Sequence, residues 1–357
     1  MGSQRCDSGA FPIIDSHIHL YAKTHIPSLA WATDLAEDFP LNRQNSVDEY
    51  KAAAGEQANL VGFVFLETDR KSGLESTEWQ APYDEVDFLI RIAKGTPIGG
   101  EGHSTEDSKL VLGVVPWAPI PAGLTLLKQY VEELESKFAE AGIPKRLSGF
   151  RYLLQDKKPG VMLQPEFVDG LRYMGEKGLS FDLGVDSHRG GMHQLVEAVE
   201  LLQRLQDFGS HVRVILDHFC KPNMALTATD IQNAHPQYVE WKRHVEQLAK
   251  YPFAYMKLSG WMTELPPQDE NNPLDIEEML TQTKPWADVI FDAFTPSRIL
   301  FGSDWPVVNL GGMGIQKSWQ YWHDLVEGML DSRDLDTKSR AQIWSGTAIK
   351  AYNLAMD

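Results

Sequence analysis

Apolar residues recur along the chain as short runs, each followed by a stretch with helical spacing. Eight such runs occupy residues 11–14, 61–66, 111–115, 147–154, 179–185, 212–216, 253–258 and 299–301. Each has the length of a buried strand. Several are apolar throughout rather than alternating, as parallel strands covered on both faces tend to be. Between them, residues 125–142 carry Leu127, Tyr130, Val131, Leu134 and Phe138 at three- and four-residue spacing, and Gly142 followed by Pro144 ends the pattern. Residues 194–209 repeat it with Leu195, Val199, Leu202 and Leu205, and helical stretches follow at 237–250, 285–294, 319–330 and 339–354. This alternation predicts an α/β chain of parallel crossover units and, at this length, a closed (β/α)8 TIM-type barrel. An open doubly wound sheet would carry a glycine-rich phosphate turn after its first strand, whereas DSHIHL follows Ile14. Residues 1–10 read as a flexible polar tail and 11–357 as a single barrel domain. Two long connections, 68–109 with a helix at 84–94 and 261–284, leave strand carboxyl ends, where long loops are usually lids or disordered segments.

Composition narrows the function classes. The 357 residues include 33 Lys plus Arg against 50 Asp plus Glu, a net charge of −17. Phosphate contacts need clustered cations, so nucleic acid is not the expected partner. No apolar run approaches the roughly 20 residues that span a bilayer, and the opening MGSQRCDSGAFPIID lacks the build of a secretory signal. The two cysteines, Cys6 in the polar tail and Cys220 in an apolar segment, form no disulfide framework. A reducing, cytoplasmic compartment is the expectation.

The candidate chemistry sits where the apolar runs stop. His17 and His19 follow the first run, and side chains two apart on a strand share a face, so both imidazoles can serve one metal ion or one substrate. Taken alone, a His-x-His pair is more often structural. The fifth run ends DLGVDSH, placing Asp186, His188 and Arg189 at a strand exit. The sixth ends LDHFCKP with Asp217, His218 and Lys221, and the eighth ends FGSDWP with Asp304. Arg151 lies in the fourth run, Glu67 ends the second, and Lys257 in the seventh reads as a core ion pair or a rim residue. Trp117, Trp261 and Trp305 each follow a strand, where they either pack or wall a pocket. Each residue has a bland explanation, such as Asp304 capping the next turn. The joint pattern of four histidines and one aspartate at strand exits is harder to dismiss. His193, His211, His235, His244 and His323 fall in helical or connecting segments and suggest no site.

IIDSHIHL, LDHFCKP, KLSGWMTE and ILFGSDWPVV, in this order and spacing, resemble the amidohydrolase-2 branch of the amidohydrolase superfamily. Within it, GFRYLLQ, FDLGVDSH and HIHLYAKTHIPSLAW are similar to sugar-lactone hydrolases of the L-fuconolactonase and fungal L-rhamnonolactonase kind. The resemblance implies a distorted barrel with its site at the strand carboxyl ends. It implies His17 and His19 as ligands or substrate contacts, His188 and His218 at the fifth- and sixth-strand positions, and Asp304 as acid/base. Arg151 stands where a carbamylated lysine would mark a binuclear centre, so at most one divalent ion is expected, zinc or else manganese, held by His17, His19, His188 and Asp304. Members of this branch that work without metal leave a metal-free route open.

The expected reaction is opening of an aldono-1,4- or 1,5-lactone to the free acid. Asp304 and His218 would move protons, while Arg151, Arg189 and Lys221 would stabilise developing negative charge. Trp117, Trp261 and Trp305 would stack on the sugar ring. A metal-dependent nonoxidative decarboxylase of an aromatic or unsaturated acid is the second reading, and a non-catalytic sugar-binding barrel the third. The partner is a small-molecule lactone, with no membrane; a homodimer is open.

Overall fold

A computed structural model describes residues 11–356 apart from 57, 266, 267, 270 and 312. The expected tail at 1–10 lies outside the described residues. Eight strands appear: β1 Ile13–Ile18, β2 Leu60–Leu66, β3 Val111–Val115, β4 Gly149–Arg151, β5 Ser180–Leu183, β6 Arg213–Leu216, β7 Ala254–Leu258 and β8 Ile299–Phe301. Each pairs in parallel with its neighbour, in a three-stranded sheet β1–β2–β3 and a five-stranded sheet β4–β5–β6–β7–β8. Two seams join the sheets into a TIM-type barrel. At one, Ser148 N–H donates to Val114 O at 3.0 Å and Arg151 N–H to Pro116 O at 2.9 Å. At the other, Asp304 N–H donates to His17 O at 2.9 Å and His19 N–H to Trp305 O at 2.8 Å. At these seams isolated bridges stand in place of full ladders.

The strands are apolar on both sides because both sides are covered. Outward residues such as Phe63, Phe65, Phe181 and Leu216 join the large core beneath the helices. Inward residues Ile14, Val64, Ile215, Tyr255 and Leu300 form a smaller cluster that Ala351 and Tyr352 close from below. Above this plug the interior turns charged, with Arg151, Asp182, Asp217 and Lys257 all buried. The histidines lie above that layer. Strand β1 changes register between Asp15 and Ile18. Such an irregularity re-aims side chains: Ile14 faces inward, Asp15 turns outward to accept from Tyr50, Ser303 and Trp319, and His17 faces the interior.

The helical stretches form as expected, with three differences. Helix Gln80–Lys94 begins before residue 84 and ends on Gly95 in the left-handed region. Helix Ile276–Ala293 runs through Pro285 instead of starting there, because the Asp275 carboxylate accepts from Glu278 N–H at 2.8 Å and starts the helix upstream. The last nine residues of the expected 261–284 loop, 276–284, are therefore helical. The expected 339–354 helix breaks into Thr337–Ala341, a π-turn Gln342–Gly346 and Thr347–Ala351, which seats Tyr352 under the barrel. No helix among the described residues is long and apolar enough to cross a membrane.

Candidate active site

At the carboxyl ends of the strands lies a pocket of about 420 Å³. Its floor is polar: His19, Arg151, Asp217, His218, Lys221 and Asp304. Its walls are largely apolar. Tyr21, Trp31, Leu35, Phe39 and Leu41 come from the segment after β1, and Leu153, Pro306, Val307 and Leu310 face them from later loops. That segment is tied down at several points. Trp31 Nε1–H donates to Thr68 O at 2.9 Å, Tyr21 Oη–H to Leu41 O at 2.9 Å, and Arg70 Nη1–H to Ser28 Oγ at 2.9 Å. Arg70 is itself paired with buried Glu85 at 3.2 Å.

At the floor, imidazoles converge on one carboxylate oxygen. Asp304 Oδ1 is buried and has no hydrogen-bond partner among the described residues. It lies 3.5 Å from His17 Nε2, 3.5 Å from His19 Nε2 and 3.7 Å from His218 Nε2. Burial alone would raise the Asp304 carboxyl, but His218, His19 and His17 outweigh it and hold the group well below the usual carboxylate range. His218 is driven down to about 4, chiefly by burial, so its ring is neutral at pH 7. Its Nδ1 bonds Ser259 Oγ at 2.9 Å.

Backbone strain collects here. His218, Phe219, Cys220 and Lys221 form a run of left-handed residues with φ of 55°, 55°, 58° and 43°. Asp304 at φ 60° and Asp69 at φ 55° are also left-handed. Such conformations cost about 1–3 kcal/mol each in non-glycine residues and persist where surrounding structure enforces them. The run turns His218 and Lys221 into the pocket. Gly260 makes room for it: at φ +63°, a Cβ on this residue would fall 2.3 Å from His218 Nδ1.

Beneath the floor, Lys257 is fully buried. Its Nζ lies 3.0 Å from His17 Nδ1 and 3.1 Å from Asp217 Oδ1, and it also bonds Asp182. Tyr352 Oη–H donates to Asp182 at 2.6 Å. Burial would raise Asp217, but Lys257 and His17 hold it far down. Arg151 donates to Glu67 Oε1 at 2.7 Å and to Glu67 O at 2.7 Å. At the rim, burial and then the adjacent Glu67 push Asp69 up to about 6. Asp69 lines the pocket together with Gln155 and Asp156.

The family model described as Amidohydrolase matches residues 118–354. The L-rhamnono-gamma-lactonase of Scheffersomyces stipitis is 32% identical over 352 residues, 96% of this chain and 99% of that protein. The chain belongs to the amidohydrolase family. An L-fucono-1,5-lactonase of Burkholderia multivorans is 28% identical over 277 residues, 77% of this chain and 78% of its own length. An amidohydrolase structure from Burkholderia multivorans with bound zinc superposes with a TM-score of 0.70 at 25% identity, covering 96% of this chain and 99% of that one.

Measured against what an amidohydrolase barrel needs, the expected residues divide. His17, His19, His218 and Asp304 come together, and Arg151 and Lys221 share their pocket. His188 enters neither of the two clusters of close ligand atoms among the described residues, which are His17–His19–Asp304 and His17–Asp217–His218. Its backbone N–H is held by Lys221 O and Asp186 instead. Arg189 is directed to Glu264 at 3.2 Å and does not line the pocket. Trp261 and Trp305 are 1% exposed and Trp117 is 7% exposed; all three pack in the core, and the pocket's aromatic surface is Tyr21, Trp31 and Phe39. The structure adds Asp69, Asp182 and the contact of Lys257 with His17 to the expected residues. The available signal was charge inside apolar strands: Asp182 in SFDL, Lys257 in AYMKL and Arg151 in GFR must pair if buried.

The donor set fits one divalent ion. Ligands about 2.0–2.1 Å from a tetrahedral zinc stand roughly 3.3 Å apart. The Nε2 atoms of His17 and His19 are 3.2 Å apart, and each is 3.5 Å from the orphan Asp304 oxygen.

Proposed function

We propose that this chain hydrolyses a sugar lactone to its open aldonic acid. The observation that supports this reading is the unpaired Asp304 oxygen among three imidazoles at the floor of a pocket with apolar walls. The two related lactonases point to the same substrate class. A six-carbon lactone with a methyl end suits the pocket, its ring carbonyl on the polar floor and its methyl against Leu35 and Phe39. Asp69 and Gln155 at the rim then meet its hydroxyls.

Asp304 Oδ1 and His218 Nε2, 3.7 Å apart, can both accept from one water. Asp304 stays ionised at neutral pH, and His218 stays neutral, so the pair withdraws a proton as the water attacks the carbonyl carbon. The same proton returns to the ring oxygen when the C–O bond breaks. Lys221, whose Nζ donates to Gln155 Oε1 at 3.1 Å, retains further donors for the oxyanion. Arg151 adds a fixed positive charge beneath it. His17, His19 and Asp304 would hold a divalent ion, with His218 beside them, and such an ion polarises a carbonyl or acidifies water.

The test is a pH-stat assay over five- and six-carbon aldonolactones, with and without chelator. Base uptake with the deoxyhexonolactones is expected. Absence of acid release on every lactone, or carbon dioxide release from aromatic acids, would refute the reading.

A further inference from the structure

We infer that Lys257 is a positioning residue that selects the tautomer of His17, and that this choice decides whether the floor is a hydrogen-bond chain or a cation site. The argument is a donor–acceptor account. An ammonium between two carboxylates keeps its three protons and has no lone pair. Lys257 Nζ, with Asp182 and Asp217 against it, lies 3.0 Å from His17 Nδ1. It donates there, so His17 Nδ1 is bare and its ring proton sits on Nε2.

The chain then closes without conflict. His17 Nε2–H faces His19 Nε2 at 3.2 Å. His19 Nδ1 lies 3.0 Å from Leu66 O, a carbonyl that can only accept, so His19 carries its proton on Nδ1 and offers a bare Nε2. Every nitrogen from Lys257 to Leu66 has one assigned role.

The opposite tautomer has its own acceptor in place. Asp217 Oδ1 is buried, faces Lys257 Nζ as an ion pair at 3.1 Å, and lies 3.4 Å from His17 Nδ1. Turning the His17 proton toward it sets two bare Nε2 lone pairs against each other at 3.2 Å. A cation bound by both relieves that repulsion. Lys257 and Asp217 therefore compete for one nitrogen, Lys257 favouring the cation-free chain and Asp217 favouring the ligand set. Carboxylate support of a metal-binding imidazole is a general device; here a lysine opposes it from the same side. None of this depends on which substrate the pocket takes.

The test uses protein labelled with ¹⁵N-histidine and freed of metal, read by long-range ¹H–¹⁵N correlation. His17 is assigned from its missing signals in His17→Asn. Wild-type protein is expected to show the His17 proton on Nε2, and saturating zinc is expected to move it to Nδ1. In Lys257→Met the proton is expected on Nδ1 even without zinc. Zinc affinity measured by chelator competition should then rise about tenfold or more, the scale of one charge-assisted hydrogen bond. If Lys257→Met fails to fold because its carboxylates are left unpaired, Asp182→Asn/Lys257→Met restores the charge balance and serves instead. A His17 proton on Nδ1 in metal-free wild type, or no change in tautomer when Lys257 is removed, would overturn the inference. Neither readout uses a lactone, so its failure and a failure of the lactonase reading are separate results.

Discussion

The floor and the walls of the pocket are built by different physics. The floor hangs on strands β1, β4, β6, β7 and β8. Its side chains are locked from below by buried pairs such as Arg151–Glu67 at 2.7 Å and Lys257–Asp217 at 3.1 Å. The walls hang on connecting segments held mainly by hydrogen bonds to backbone carbonyls, as Trp31 is held by Thr68. Removing a floor group leaves a buried charge or an unmet proton acceptor, whereas removing a wall group leaves a gap beside solvent. The floor should therefore govern turnover and stability, and the walls binding.

Four substitutions test that division, from the largest expected effect downward. Asp304→Asn keeps the shape but loses the proton acceptor, and kcat should fall by about 10³, within the range of general acid–base contributions, with little change in KM. Equal loss in KM would move Asp304 from chemistry to binding. Arg151→Met leaves Glu67 buried without its partner and should cost about 3–5 kcal/mol in denaturant unfolding. A loss under about 1 kcal/mol would show that the floor is not locked from below. On the wall, Phe39→Ala should raise KM for a methyl-bearing lactone about five- to tenfold, with kcat held, since an apolar contact of this size is worth roughly 1–3 kcal/mol. A fall in kcat alone would blur the distinction.

The fourth test is a pH profile. Asp69, with its pKa raised to about 6, accepts from sugar hydroxyls more strongly once it is ionised. Asp304 titrates well below this range and His218 near 4, whereas burial also raises Asp182, beneath the floor, to about 6, so the Asp69 variant is needed to separate the two carboxyls. Wild-type kcat/KM should fall as pH drops below about 6, and the Asp69→Asn profile should lose that limb. Persistence of the limb in the variant would assign it elsewhere.

The same division explains what could be read from the sequence. β3 and β8 form where the apolar runs stand, and the remaining six strands fall within a few residues of theirs. His17 and His19 are legible because they stand two apart at the end of β1, and His218 and Asp304 because they follow β6 and β8 at the carboxyl-end face of the barrel. His188 breaks the rule because the chain after β5 loops away before reaching it, with Ser187 and His188 tied to the backbone of Cys220 and Lys221. The three tryptophans pack in the core rather than wall the pocket, since residue type does not say whether a ring after a strand turns to the mouth or to the helices; Trp322 and Phe219 pack around Trp261. The Trp31–Leu41 wall follows neither helix nor strand spacing, so no periodicity marks it. Lys257 looked like a core ion pair, which it is; its contact with His17 Nδ1 joins strands far apart in the chain.

In the proposed reaction Asp304 and His218 act on one water. A double-mutant cycle of Asp304→Asn and His218→Asn, read as kcat on the preferred lactone, tests it most directly. Two groups sharing a water should be strongly non-additive, the double variant losing little more than the more damaging single change. Losses that multiply would mean that the two residues work independently, and would contradict the account.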